Sequence, residues 1–351
     1  MAARAMRAWF VVVLVVLGIA AVSVYLGMRF LQTPIAALDG ERTIEVEPGV
    51  AYSNFLKQLD SDLQLGYPLV LRVLTRIRYP DFVLKAGEYR VPAGTSVTGL
   101  LDILDRGVTV QHRVQFTEGE TLLTVLATLN EHPILKESGS VALDEVATLL
   151  AIEGNNAEGW LFPDTYFISR GDTVTEVLYR AHQKMRDTLE RSWAARDVAL
   201  PYNSAYEALI MASLVEKETG VISEREQIAG VFVRRLQRGM RLQTDPSVIY
   251  GMGAAYKGNL RRVDLRNDTP YNTYTRYGLP PTPIAMPGEG AINACLNPAA
   301  GTALYFVAKG DGTHHFSDTL EEHNAAVQRY QVLKRRADYR SAPPVKTAPS
   351  G

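Results

Sequence analysis

The stretch from Leu209 to Gly220, LIMASLVEKETG, ends an apolar helical run with two glutamates two residues apart. A carboxyl in that place can act as a general acid if its surroundings keep the proton on it near neutral pH. At about 100° per residue, Glu216 and Glu218 project about 200° apart, so they cannot serve one site as a pair. With Ala208 as the origin, Met211 falls at about 300°, Leu214 at about 240° and Val215 at about 340°, and Glu218 at about 280° shares their arc. Glu216, at about 80°, sits at the margin between Leu209 and Ala212. Desolvation by the apolar arc is expected to raise the Glu218 pKa, which makes Glu218 the candidate acid. The competing reading of Glu218 is a helix-end glutamate that is solvated or paired with Arg225.

Downstream stand MRLQTDPSVIYGMG, TPYNTYTRYGLPPTPIAMPGEGAINACLNPA and YFVAKGDGTHHFSDTLEEHNAAVQRY, dense in Gln, Thr, Asn and Tyr and punctuated by Pro and Gly. They read as loops and short strands lining a groove. Tyr and Asn supply the ring faces and paired hydrogen bonds that acetamido sugars require. Other chemistries fit less well. His314 and His315 point to opposite faces of a strand and His323 falls in the next helix, so no metal site is expected. GMGAAYKG lacks the strand-turn-helix setting and lysine of a phosphate loop, and no Gly-x-Ser-x-Gly elbow is present. Lys plus Arg (37) nearly balances Asp plus Glu (38), which argues against a nucleic-acid partner. The single cysteine, Cys295, excludes an internal disulfide and reads as core filler.

The elements that must position these residues begin with a membrane signal. Ala8 to Met28 is a run of about 21 uncharged residues, long enough for a bilayer core of roughly 30 Å. Arg29 and Phe30 follow where a signal-peptidase site would need small residues, so the segment reads as an uncleaved anchor. Arg4 and Arg7 keep residues 1–7 in the cytoplasm and send the remainder across, which in a bacterium is the periplasmic side. Residues 29–42 read as a linker. Residues 43–108 read as strand, helix, helix, strand: TIEVEPGV, YSNFLKQLD, YPLVLRVLTRIR and KAGEYRV. A further helix, SVTGLLDILDRG, is opened by Ser96 and closed at Gly107. This βααβ order resembles a LysM-type module, a class that binds N-acetylated glycans; a spacer above the membrane is the alternative. Residues 109–340 read as a larger α+β domain with long helices in TVTEVLYRAHQKMRDTLERSWAARD and SAYEALIMASLVEKE. The Pro-rich segment 341–351 reads as disordered.

Taken together, the anchor, the LysM-like module, EGWLFPDTY, MASLVEKET, RLQTDPSVIYGMG, YNTYTRYGLPPTPI and LYFVAKGDGTHHF resemble, in order, the YceG-like family of endolytic murein transglycosylases. The resemblance implies cleavage of peptidoglycan between N-acetylmuramic acid and N-acetylglucosamine without water, leaving 1,6-anhydro-muramyl ends and terminating nascent strands. By motif it implies Glu218, the glutamate before Thr219, as the catalytic residue, with no metal or cofactor. Gln243, Thr244 and Asp245, with Tyr271, Asn272, Thr273 and Tyr274, are read as positioning the substrate, loop building being the alternative for each. It further implies a single-pass protein of the inner membrane working beside penicillin-binding proteins. Two other functions stay open: a hydrolase, which needs a second carboxylate such as Asp245 or Glu216 opposite Glu218, and a non-catalytic wall-binding scaffold.

Overall fold

The structure is a computed structural model and describes residues 2–135 and 139–333; the segment 341–351, read as disordered, lies outside the described residues. The chain divides into two compact units, one of Met1–His112 with Phe167–Asp172 and one of Arg113–Tyr166 with Thr173 onward.

The first unit opens with α1 (Ala2–Gln32). Within it Trp9–Gln32 has a mean hydropathy of 2.7, and among the described residues it is the one helix long and apolar enough to cross a membrane. Then follow β1 (Arg42–Val46), α2 (Tyr52–Leu63), α3 (Pro68–Arg78), β2 (Gly87–Val91) and α4 (Val97–Arg106). The two strands pair antiparallel with Ile44 opposite Tyr89 and Val46 opposite Gly87. Apolar residues at helical spacing on α2, namely Phe55, Leu56, Leu59 and Leu63, close over Tyr89 and Val91 with Leu71, Leu100 and Leu104. Ser96 caps α4 by accepting the Gly99 N–H at 3.2 Å, and Gly107 ends it at φ 61°, as the sequence predicts. The segment read as a linker contributes to this core: Ile35 and Leu38 are buried, and the Ile35 N–H donates to the Thr95 carbonyl at 3.0 Å.

Further along run β3 (His112–Gln115), α5 (Leu122–Glu131), α6 (Val146–Leu149), β4 (Thr165–Ile168), α7 (Val174–Ala194), α8 (Ala205–Glu218) and α9 (Arg225–Gln237). They are followed by α10 (Asp245–Met252), α11 (Glu289–Leu296), β5 (Tyr305–Ala308), β6 (His314–Ser317) and α12 (Leu320–Val327). The sheets are two-stranded, β1–β2, β3–β4 and β5–β6, so the architecture is mixed α+β. Thr173 and Glu176 form a reciprocal capping box that starts α7. The core of the second unit gathers α7, α8, α9 and α11 through Met185, Met211, Leu214, Phe232, Ile292 and Cys295, all fully buried. The stretches 240–253 and 269–299, read from sequence as loops and short strands, each hold an α-helix, α10 and α11. Each is eight residues long, too short to show a period, although Asp245–Pro246 after Thr244 is a helix-start signal.

EGWLFPDTY lies tight against the segment before α11. Gly159 has φ +82°, and a Cβ there would stand 2.5 Å from Pro283 Cβ; Gly154, at φ +81°, has nothing within 4 Å. Gly154→Ala should therefore cost only backbone strain, about 1 kcal/mol. Gly159→Ala should lose roughly 2 kcal/mol more, from strain plus overlap. Thermal unfolding of the two detergent-solubilised variants measures the difference, and equal losses would show that the contact with Pro283 yields freely.

Candidate active site

The helix that carries both glutamates is buried on every side. All residues from Ala208 to Val215 are buried, so α8 has no polar face against which Glu216 and Glu218 could be sorted. The expectation that Glu216 sits at an apolar margin is thus corrected: its side chain is only 5% exposed. What separates the two carboxyls is their partners. Glu216 Oε1 lies 2.9 Å from Arg225 Nη2, and Glu216 Oε2 accepts the Gly288 N–H at 3.0 Å. Arg225 also meets Glu118 Oε2 at 3.0 Å. Burial lifts the Glu216 pKa, and the Gly288 N–H and Arg225 pull it back. The pairing with Arg225 weighed for Glu218 therefore belongs to Glu216, which ties α8 to α9 and to the start of α11.

Glu218, the last residue of α8, is half-buried and makes no ion pair among the described residues. Burial pushes its carboxyl up to about 7. The Thr244 hydroxyl and the Arg235 charge oppose this, while the charge of Asp245 adds to it. The Thr244 Oγ1 is buried and stands outside hydrogen-bond geometry toward any described residue, so its influence on Glu218 is one of proximity. A carboxyl poised near 7, with polar groups of both signs around it, can give up a proton and take one back at neutral pH.

The surroundings come from α10 and the loop before α11. Asp245 opens α10 and accepts the Tyr274 O–H at 2.6 Å. Burial, then the charges of Asp245 and Glu218, raise the Tyr274 phenol, so it remains a donor. Gln243 is exposed and held at φ 54°, a left-handed backbone between the buried Leu242 and Thr244. Its N–H donates to the Thr273 carbonyl at 3.2 Å, and the Thr244 N–H donates to Thr273 Oγ1 at 3.0 Å.

Of the residues read as positioning substrate, the structure brings Thr244, Asp245 and Tyr274 beside Glu218. Asn272 is fully buried and spends its side chain on the carbonyls of Asp264, Leu265 and Asn267 and on the Tyr274 N–H. Thr273 is buried and bonded to Ser247 at 2.9 Å. Tyr271 stacks edge-on against Tyr250 with centroids 4.9 Å apart and meets Thr282 through its hydroxyl. These three residues build the loop.

Sequence reasoning missed three groups. Arg235, in α9, holds the carbonyls of Leu304 at 2.7 Å and Leu242 at 2.6 Å and places a positive charge near Glu218. No signal in VRRLQR distinguishes it from Arg234. Glu158 lies in the quoted EGWLFPDTY, buried, and burial lifts its carboxyl to about 7. It accepts the Leu122 N–H at 2.9 Å and the Tyr250 O–H at 3.1 Å, linking α5 to α10. Glu224 meets His314 Nδ1 at 2.8 Å, which gives buried His314 a partner while His315 is exposed.

The YceG-like family matches residues 44–329. The chain belongs to the YceG-like family. It is 32% identical over 264 residues to a Bacillus subtilis (strain 168) protein named endolytic murein transglycosylase, covering 70% of this chain and 73% of that one. A Streptococcus pneumoniae (strain D39) protein of the same name is 27% identical, over 92% of this chain but only 65% of its own length. The crystal structure of a yceG-like protein from Listeria monocytogenes matches with a TM-score of 0.51 and 28% identity, over 81% of this YceG-like chain and 98% of the other.

The two glutamates should respond oppositely to substitution. Folded Glu218 keeps its proton up to about 7, whereas the unfolded chain releases it near 4.5. Its contribution to stability is therefore present below pH about 4.5 and lost as pH rises to about 7. Glu218→Gln should stabilise the protein at pH 8 by roughly 1–3 kcal/mol, and the gain should vanish near pH 4. Glu216→Ala leaves Arg225 to Glu118 alone and the Gly288 N–H without its acceptor, and should cost roughly 3 kcal/mol at pH 8. Thermal unfolding at both pH values tests the pair; the same sign at pH 8 would contradict the assigned environments.

Proposed function

We propose that this protein cleaves peptidoglycan glycan strands endolytically, between N-acetylmuramic acid and N-acetylglucosamine, by intramolecular transglycosylation. The observation that carries the reading is Glu218: a carboxyl lifted to about 7, without an ion-pair partner among the described residues, in a family whose curated relatives are named endolytic murein transglycosylases. Protonated, Glu218 gives its proton to the glycosidic oxygen as positive charge grows at the anomeric carbon. As a carboxylate it then takes the proton from the muramyl 6-hydroxyl, which attacks that carbon and closes a 1,6-anhydro ring. Each form has its own support. Burial and Asp245 favour the acid, and Thr244 and Arg235 favour the conjugate base.

In this reading Gln243, Asp245 and Tyr274 meet the sugars, Thr244 adjusts Glu218, and Tyr271, Asn272 and Thr273 hold their loop in place. The βααβ order of the first unit supports a LysM-like role in holding N-acetylated glycan. The apolar span Trp9–Gln32 of α1, preceded by Arg4 and Arg7, supports a single-pass inner-membrane anchor with the larger unit in the periplasm. The peptidoglycan-polymerising penicillin-binding proteins are the proposed partners, with termination of nascent strands as the outcome.

A hydrolase remains the second reading because the charge of Asp245 acts on Glu218. Glu216 is already engaged by Arg225. The reducing ends released from purified cell wall decide between the readings by mass. Anhydro ends are expected; ends heavier by one water would mean hydrolysis, and no release would mean a scaffold.

Glu218→Gln should abolish cleavage with the fold intact, because an amide cannot deliver the proton. For the parent enzyme, kcat/KM should fall as pH rises through about 7, where the free enzyme loses that proton. A rate that stays level up to pH 9 would remove Glu218 from the role of acid.

A further inference from the structure

The first unit carries an apolar helix face that its own core does not use. On α3, Leu69, Val70, Val73 and Ile77 are 75%, 50%, 58% and 73% exposed. At about 100° per residue, with Leu69 as the origin, they span an arc of about 100°. The core-facing Leu71 falls at about 200° and Thr75 at about 240°. The exposed arc is thus nearly opposite the buried one, and folding of this unit leaves it in water. A stripe of this kind, running most of the length of the helix, is too regular for scattered surface apolar residues.

Two further observations say what covers it. The stripe is bordered along one side by Arg76 at about 340° and Arg72 at about 300°, both exposed and without an ion pair among the described residues, and Pro68–Arg78 contains no acidic residue. The helix also begins at the exit of the apolar span. Phe30, near the end of α1, packs edge-on against Tyr67 with centroids 5.4 Å apart, and Tyr67 is the residue that precedes α3. Leu31 packs on the core of the same unit, and Thr98 Oγ1 donates to its carbonyl at 3.4 Å. The start of α3 is thereby held beside the place where Trp9–Gln32 ends.

We propose that α3 is an interfacial helix that lays Leu69, Val73 and Ile77 into the bilayer entered by α1, with Arg72 and Arg76 on anionic lipid headgroups. The proposal rests on the reading of α1 as a membrane anchor. An apolar face bordered by arginine along one edge, on a helix with no acid, is the composition of a segment that lies in the headgroup region. Phe30 and Tyr67 occupy the aromatic zone at the boundary. The anchor supplies the local concentration, so a weak interfacial contact suffices to hold the helix down.

The test uses the full chain reconstituted in vesicles of phosphatidylethanolamine and phosphatidylglycerol. The one native cysteine, Cys295, is fully buried, so a maleimide fluorophore reaches an introduced cysteine instead. Val73→Cys reports on the stripe, Lys57→Cys on an exposed face of α2, and Val16→Cys on the middle of α1. Lipids carrying a nitroxide on the acyl chain should quench the fluorophore at 73 several-fold more than at 57, and aqueous iodide should quench it less. In the Val73→Cys background, adding Arg72→Gln and Arg76→Gln should weaken the lipid quenching and make it insensitive to salt. If iodide reaches 73 as readily as 57 while 16 stays quenched by lipid, the stripe faces water or awaits a protein, and the proposal fails with the anchor reading intact. If 16 is not quenched by lipid, the anchor reading falls and the proposal with it.

Discussion

The second unit is organised by the burial of α8 on every side from Ala208 to Val215. A helix with apolar side chains all round can be stable only when other elements surround it, and α7, α9, α10 and α11 do so. Carboxyls at the end of such a helix must be compensated or protonated. Both outcomes occur two residues apart: Glu216 is neutralised by Arg225, and Glu218 keeps its proton up to about 7. The reactive state of Glu218 follows from the same burial that fixes its position. Ser213 adds the backbone register, accepting the Ile284 N–H at 3.0 Å, so the helix is locked to the segment that leads into α11.

Much of this is legible in the chain. Ser96 and Gly107 bound α4, Thr173 with Glu176 starts α7, and the run from Trp9 announces α1, because caps and long apolar periods are local signals. Glu218 stands out by helix face only if α8 has a single inward face, and α8 is buried all round from Ala208 to Val215. EALIMASLV is apolar almost without interruption, which predicts burial all round and not one inward face. The choice between the two glutamates depends on Arg225, a contact that spacing in one helix cannot reveal. Arg235 is invisible for the same reason, since its partners Leu242 and Leu304 lie in other segments. Asn272 and Thr273 show the opposite error: polar residues in a loop can be consumed entirely by the loop itself.

The same polar loop chemistry explains how the site can be firm without regular structure. Between α10 and α11 the described residues form no strand, yet Asn272 gathers three carbonyls and Thr273 holds two backbone segments together. Side chains supply the cross-links that a sheet would supply through its backbone. Gln243 can then project outward between two buried neighbours, with its left-handed backbone held by Thr273.

The lock between α8 and α11 also sets the order in which the chain can mature. Leu209, Met211, Leu214 and Val215 are synthesised long before Ile284, Ile292 and Leu296, which pack with them in one cluster. Until that later segment has emerged, the central helix has no complete cover, and contacts so distant in sequence close late. A growing chain that ends before Leu296 carries the glutamate on an apolar helix open to water, a form prone to clump or be degraded. Competence therefore arrives only when the last of the surrounding helices is in place.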